Sequence, residues 1–223
     1  MSPSDWSLVP ALIPLLPLLA GPVILALHAK PFMQRMVFAA SVGTTALLGL
    51  SLLPNFGGQP LEITLGDLLG FGLVFRADSL GLVFLGLFSA LALGISAYSV
   101  GYAASEESSG RYFAFTAITF AGALGVVVAG NFLTLLLFFE LMTFASYVLV
   151  VHRGDEATLR IGNTYLYLGI IAGLLVLLGI LLLFGQTGEF EFTPSLASLR
   201  GARYFPYILA LFTVGFGIKA GIF

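Results

Sequence analysis

Residues Tyr112–Val151 read YFAFTAITFAGALGVVVAGNFLTLLLFFELMTFASYVLVV, forty positions whose only acidic or basic side chain is Glu140. At 1.5 Å per residue an unbroken helix of this length would measure about 60 Å, twice the roughly 30 Å hydrocarbon layer of a membrane. The segment must therefore fold back once. Gly130-Asn131 is the expected turn, because glycine accepts the positive φ a tight turn needs and asparagine caps the helix that follows.

The same reading extends along the chain. Over 223 residues, 59% are hydrophobic and 9% are charged, against roughly 45 to 50% and 25% in a soluble domain. Apolar stretches fall at 7–27, 31–53, 79–102, 111–129, 131–151, 159–184 and 204–223, so the expectation is an all-α integral membrane protein of about seven transmembrane helices in one transmembrane domain. Between the second and third stretches, Leu61-Glu62-Ile63-Thr64-Leu65 alternates apolar and polar. Gly70-Phe71-Gly72 and Leu73-Val74-Phe75-Arg76 follow. This predicts a small β-hairpin within 55–78, lying on the membrane surface.

A net charge of −2 without a basic run gives no footprint for nucleic acid, and the absence of cysteine excludes thiolate-held clusters, covalent haem, disulfides and cysteine-type zinc. No cofactor or metal is expected in this chain, nor a catalytic redox centre. No basic residue precedes Lys30, so a cleavable signal peptide is not indicated. Basic residues near the span ends favour an N-terminus outside. Lys30, Arg35, Arg111, Arg153 and Arg160 then lie within, and Arg76, Arg200 and Arg203 lie without. The acidic Asp5, Glu62, Asp67, Asp78, Glu189 and Glu191 also fall outside.

Two ionisable residues fall inside spans: Glu140 and Lys219. A charge at mid-bilayer costs a few kcal/mol or more, so such a residue normally faces protein or water and has a use. Helical spacing puts Thr143 and Tyr147 on the face of Glu140, a polar stripe in a Leu/Phe/Val segment. The structural alternatives are a neutral carboxyl that only bonds neighbouring helices and a lysine that snorkels to the interface from near the end of the segment. Around Lys219 the run Gly215-Phe-Gly-Ile-Lys-Ala-Gly221 weakens regular helix and also permits close packing. His28 and His152 stand at span ends, where a solvated loop role is expected.

The stretch Asn131-Phe-Leu-Thr-Leu-Leu-Leu-Phe-Phe-Glu140-Leu-Met-Thr-Phe-Ala-Ser-Tyr147 resembles the fifth transmembrane helix of the antiporter-like subunits shared by respiratory complex I, Mrp-type sodium/proton antiporters and membrane-bound hydrogenases. Gly217-Ile-Lys219-Ala-Gly-Ile-Phe223 resembles the start of that family's seventh-helix motif. Asp78-Ser79-Leu80 and Tyr98-Ser99-Val100-Gly101-Tyr102 also fit. The resemblance implies the N-terminal half of a fourteen-helix fold, a first proton-path pair formed by Glu140 and an inward-pointing, mid-helix Lys219, and a multi-pass location in a prokaryotic cell membrane. It implies as partners the other membrane subunits of a multisubunit complex, protons or sodium ions, and the bilayer. Because this sequence stops within the seventh span, a separate chain or a longer polypeptide is expected to supply the C-terminal half.

Two rivals stand beside this reading. A retinal protein would carry a Schiff-base lysine in its seventh helix, but no acid lies in the third span, Gly215 stands one turn before Lys219, and Trp6 is the sole tryptophan. A purely structural membrane subunit would hold partners without an ion path of its own.

Overall fold

A computed structural model of the chain describes residues 6–68, 71–102, 109–192, 199 and 203–222. Asp5, Gly70, Arg200 and Phe223, and the side chains of Asp67, Val100, Gly101 and Tyr102, lie outside the described residues. Seven helices follow one another: α1 (Val9–Ala26), α2 (Pro31–Ser51), α3 (Ser79–Tyr102), α4 (Ser109–Val127), α5 (Phe132–Val150), α6 (Glu156–Thr187) and α7 (Phe205–Lys219). Six are long and apolar enough to cross a membrane. With only 15 residues, α7 is shorter than the expected seventh span and stops at Lys219 rather than carrying it in mid-helix. Beyond it Gly221 takes a left-handed φ of 80°.

In the other direction, α6 is longer than its apolar pattern suggests, with 32 residues. Asp155 starts it, accepting a hydrogen bond from the Thr158 amide at 2.8 Å, and Gly188 ends it at φ 74°. Both ends therefore carry their own capping residues, an acidic acceptor at the N-terminus and a left-handed glycine at the C-terminus. At 1.5 Å per residue the helix is about 48 Å long, so its polar ends reach past the hydrocarbon layer.

The hairpin forms from β1 (Leu61–Leu68) and β2 (Phe71–Ala77), paired antiparallel from Leu61 opposite Ala77 to Leu65 opposite Leu73. It does not merely lie on the surface. Val74, Phe75 and Ala77 are buried, and Phe75 enters a core of Val9, Ile13, Leu82, Leu85, Leu124, Val128 and Phe138. The backbone polar groups of β2 are satisfied by the turn between α4 and α5. Arg76 N donates to Val128 O at 2.7 Å, Gly130 N donates to Val74 O at 2.7 Å, and Val74 N donates to Thr134 Oγ1 at 2.9 Å.

The turn falls at Gly130-Asn131 as expected, but for another reason. Gly130 is not among the positive-φ glycines; a Cβ there would come within 2.5 Å of Val74 Cγ1, so its role is to let the strand approach. Asn131 does cap α5, its Oδ1 accepting from Thr134 N at 2.9 Å, and its Nδ2 donates to Gly72 O at 3.0 Å.

At the opposite end of the bundle a second apolar core joins Ala20, Ile24, Phe38, Val42, Ala92, Phe113, Ala114 and Ala117. Gln34, buried there, donates to Ile24 O at 3.1 Å and so satisfies a carbonyl at the end of α1. Arg111, at the start of α4, donates to the carbonyl of His152. His152 lies in the α5–α6 turn as expected but is half-buried, edge-on against Tyr112 with ring centroids 5.9 Å apart, whereas His28 is exposed.

Candidate functional site

Helix α5 leans on α4 through Gly122 and Gly125, where added Cβ atoms would strike Met142 and Phe138. This packing turns Glu140, Thr143 and Ser146 toward α6 and α7. On α6, Gly162, Gly169 and Gly173 recur at spacings of seven and four, which lie on one helix face. That face meets α5: Gly162 lies against Val151, Gly169 against Thr143, and Gly173 against the carboxylate of Glu140. In turn α7 enters through Gly215, whose missing Cβ admits Val176 and the carbonyl of Ala172.

The sequence-predicted residues are brought together at this three-helix junction. Lys219 Nζ donates to Thr143 Oγ1, and Thr143, fully buried, donates its own proton to Phe139 O at 2.9 Å. The threonine hydroxyl thus uses its donor on the helix and offers a lone pair to the ammonium group. The amine also lies 5.2 Å from the centroid of Phe139 and 5.7 Å from that of Tyr165, so two ring faces contribute to holding it.

Glu140 stands beside this amine and attracts it electrostatically, but no direct ion pair joins them within 4.0 Å among the described residues. Its Oε1 is buried and has no hydrogen-bond partner. Neither side chain is fully enclosed: Glu140 and Lys219 are both of intermediate exposure within this chain. The expectation of a buried pair is thus met only as two half-buried groups that are near each other and held apart.

Four participants were not singled out from the sequence. Ser146 donates into its own helix at Met142 O and Thr143 O, and its oxygen lies 2.6 Å from Tyr165 OH. A serine has one proton, so the tyrosine is the donor in that contact. Tyr147, on the predicted stripe, donates instead to Asn163 Oδ1 at 3.2 Å. Gly173 completes the set, and the only sequence signal for it is the glycine spacing along α6. Polar groups thereby extend from Glu140 and Lys219 toward the end of the bundle that holds His152.

On the hairpin side, Arg76 lies 3.8 Å from Glu62 and 3.9 Å from Asp78, and Asp78 caps α3 by accepting from Gly81 N at 2.8 Å. Burial, then the nearby Glu62 and Glu189 carboxylates, hold the Glu191 carboxyl above the usual range. Among the described residues no group of His, Cys, Asp and Glu is arranged to hold a metal.

Residues 129–223 match the family described as NADH:quinone oxidoreductase/Mrp antiporter, transmembrane region. The chain is 29% identical over 215 residues to antiporter subunit mnhD2 of Staphylococcus haemolyticus, an alignment covering 93% of this chain and 43% of that one. It is 26% identical over 196 residues to Na(+)/H(+) antiporter subunit A1 of Staphylococcus aureus, covering 86% of this chain and 23% of the relative. Among solved structures, a chain of the archaeal membrane-bound sulfane sulfur reductase superposes with a TM-score of 0.81 at 27% identity, over 95% of this chain and 34% of that one. A chain of the Mrp complex from Dietzia sp. DQ12-45-1b gives 0.82 at 22% identity, over 99% and 41%. The chain spans less than half the length of each of these relatives. Residues 129–223 thus match that family in sequence, and the fold of nearly the whole chain is that of chains from these two membrane complexes.

Proposed function

We propose that the chain conducts protons, or sodium ions and protons, as part of an antiporter-like subunit of an Mrp-like, complex I-like or membrane-bound respiratory assembly, with Glu140 and Lys219 as the first acid and amine of its path. The observation that carries this reading is the lysine at the end of α7 turned back into the bundle onto Thr143, beside a carboxylate with an unpartnered buried oxygen. Structural glue would use its hydrogen-bonding atoms; this carboxylate leaves one idle.

The energetics suit a switch. Two unit charges 4 Å apart attract by about 4 kcal/mol at an effective dielectric near 20, and by about 2 kcal/mol at 8 Å. A helix displacement of a few ångströms therefore changes the energy of the charged pair by about 2 kcal/mol, enough to move a proton equilibrium more than tenfold. The ring faces and Thr143 keep the amine in place while the carboxylate titrates against it.

The working unit in this reading includes other membrane subunits and the part of the subunit that the longer relatives contain and this sequence does not. It sits in a prokaryotic cell membrane with its N-terminus outside, which puts the hairpin outside and the Arg111–His152 contact inside. The electrons or ion gradient that drive transport come from elsewhere in the assembly.

Ion uptake into vesicles carrying the assembled complex tests the proposal. Glu140→Gln keeps the shape and hydrogen bonding of a protonated acid but cannot ionise. It is expected to lower the rate about tenfold or more, equivalent to about 1.4 kcal/mol of barrier, with assembly intact. Lys219→Ala does the same, and the double variant is little worse than either, because members of one relay are not additive. Normal uptake by Glu140→Gln would replace this reading with that of a structural subunit.

A further inference from the structure

Three helices meet around Glu140, and only one of them lacks a side chain where the carboxylate rests. A Cβ built at Gly173 would overlap Glu140 Oε1 and come within 2.7 Å of Cδ, with Oε2 3.1 Å away. The carboxylate therefore sits in a notch in α6, in the space an alanine methyl would fill. The buried oxygen within it is the one with no hydrogen-bond partner. One turn earlier, Gly169 gives the same clearance to Thr143, the residue that holds the Lys219 amine.

We propose that Gly173 is a positioning residue for the ion path: its missing side chain seats the Glu140 carboxylate against α6 while Thr143 seats Lys219, so that the two charges are held near each other without closing into a direct ion pair. The inference rests on the role proposed above for Glu140 and Lys219. Close packing alone would explain a glycine at the α5–α6 contact, as it does for Gly162, whose Cβ would meet the apolar Val151 and the Tyr147 ring. Packing alone does not explain why the atom it admits is a carboxylate oxygen lacking a partner. An acid deprived of that berth has Lys219 as its nearest source of compensation. The two rings against the amine, Phe139 and Tyr165, carry no charge.

The test is a double-mutant cycle in the assembled complex, with Gly162→Ala as the packing control. Glu140→Asp shortens the acid by one methylene and withdraws it from the notch that Gly173→Ala fills. Gly173→Ala is expected to cut ion uptake by about tenfold or more when Glu140 is present, and by less than about twofold further when Asp replaces it. In infrared difference spectra, the carboxyl stretch assigned to residue 140 by its loss in Glu140→Gln is expected to shift in Gly173→Ala and to stay unchanged in Gly162→Ala. An equal loss of uptake in both backgrounds, or an unmoved carboxyl band, overturns the proposal. So does failure of Gly173→Ala to assemble with Asp as well as with Glu at position 140, whereas assembly rescued by Asp supports it. Normal uptake by Glu140→Gln would remove the ion-path reading, but the infrared shift would still report on the notch.

Discussion

The two halves of this bundle are packed to opposite ends. From α1 to α4 the large buried side chains are apolar and the buried polar ones carry no charge: Phe75, Phe113, Ile13 and Ile24 are among the largest fully buried side chains, the rings of Phe38 and Phe113 meet at 5.0 Å, and the polar groups among them are Gln34, Thr45, Ser89, Ser99 and Ser109. From α5 to α7, glycines of α6 and α7 bring the helices together, and a carboxylate, an amine and three hydroxyl groups lie at their junction. In lipid, apolar surface gains little by leaving its surroundings, so helices hold together by close packing and by the few polar groups they share. The first half has spent its sequence on fit; the second gives up fit to house groups that can change charge. The difference implies that substitutions in the first half act on stability, and substitutions in the second act on transport.

The largest effect expected under this contrast is that of Phe75→Ala. Removing a fully buried ring costs about 3–5 kcal/mol, so the variant should melt well below the parent in detergent and assemble poorly. A parent-like melting temperature would break the contrast at its strongest point. Next comes Thr143→Val, which keeps the branched shape while removing the acceptor from Lys219. A hydrogen bond to a charged group is worth about 1.5–3 kcal/mol, and the loss should appear as reduced ion uptake with the melting temperature within a few degrees of the parent. A protein that unfolds instead would make Thr143 a stabilising residue like those of the first half.

The smallest effect lies outside the membrane. Asp155 has its carboxyl lowered below the usual range, first by the backbone amide of Thr158 and then by that residue's side chain. An acid whose folded value is depressed adds stability that is present above its unfolded value, near 3.9, and is lost as the pH falls through the folded one. Protection factors of the amides in the first turn of α6, exchange rates corrected for their intrinsic pH dependence, should therefore fall below about pH 4 in the parent. In Asp155→Asn they should stay level over that range.

Much of the first half was legible because it obeys repeating rules. Length and polarity set the spans, and Asn131 appears where a helix needs a cap. The place of β2 was less legible. The alternation in Leu61–Leu65 suits a half-exposed strand, but the burial of Phe75 depends on residues of α1, α3, α4 and α5 closing over it. At the site, Glu140 was conspicuous because nothing else between Tyr112 and Val151 carries a charge, and Thr143 and Tyr147 followed from helical period. Gly173 was invisible for the opposite reason: a glycine marks clearance without saying for what, and its partner is set by the α5–α6 crossing. Tyr165 and Ser146 shared that difficulty, since aromatic and small polar residues are common in spans that do nothing. The end of α7 at Lys219 was also unexpected; the amine turns back from it onto Thr143.

The stitching of β2 to the α4–α5 turn has a mechanical consequence. At the hairpin end, α5 is anchored by hydrogen bonds from Gly130 N, Val74 N and Asn131 Nδ2, and by Phe132 N donating to Phe190 O at 2.9 Å. At its other end the chain passes through Gly154, left-handed at φ 72° with open space around its Cα. The far end is held by side chains, Arg111 on the His152 carbonyl and Tyr147 on Asn163, so a tilt of α5 would pivot on the backbone-stitched hairpin end. Glu140 lies nine residues from Asn131, about 13 Å along the helix, so a tilt of about five degrees carries its backbone roughly 1 Å sideways. The small sheet at the end of the bundle thus sets the radius on which the half-buried acid can swing.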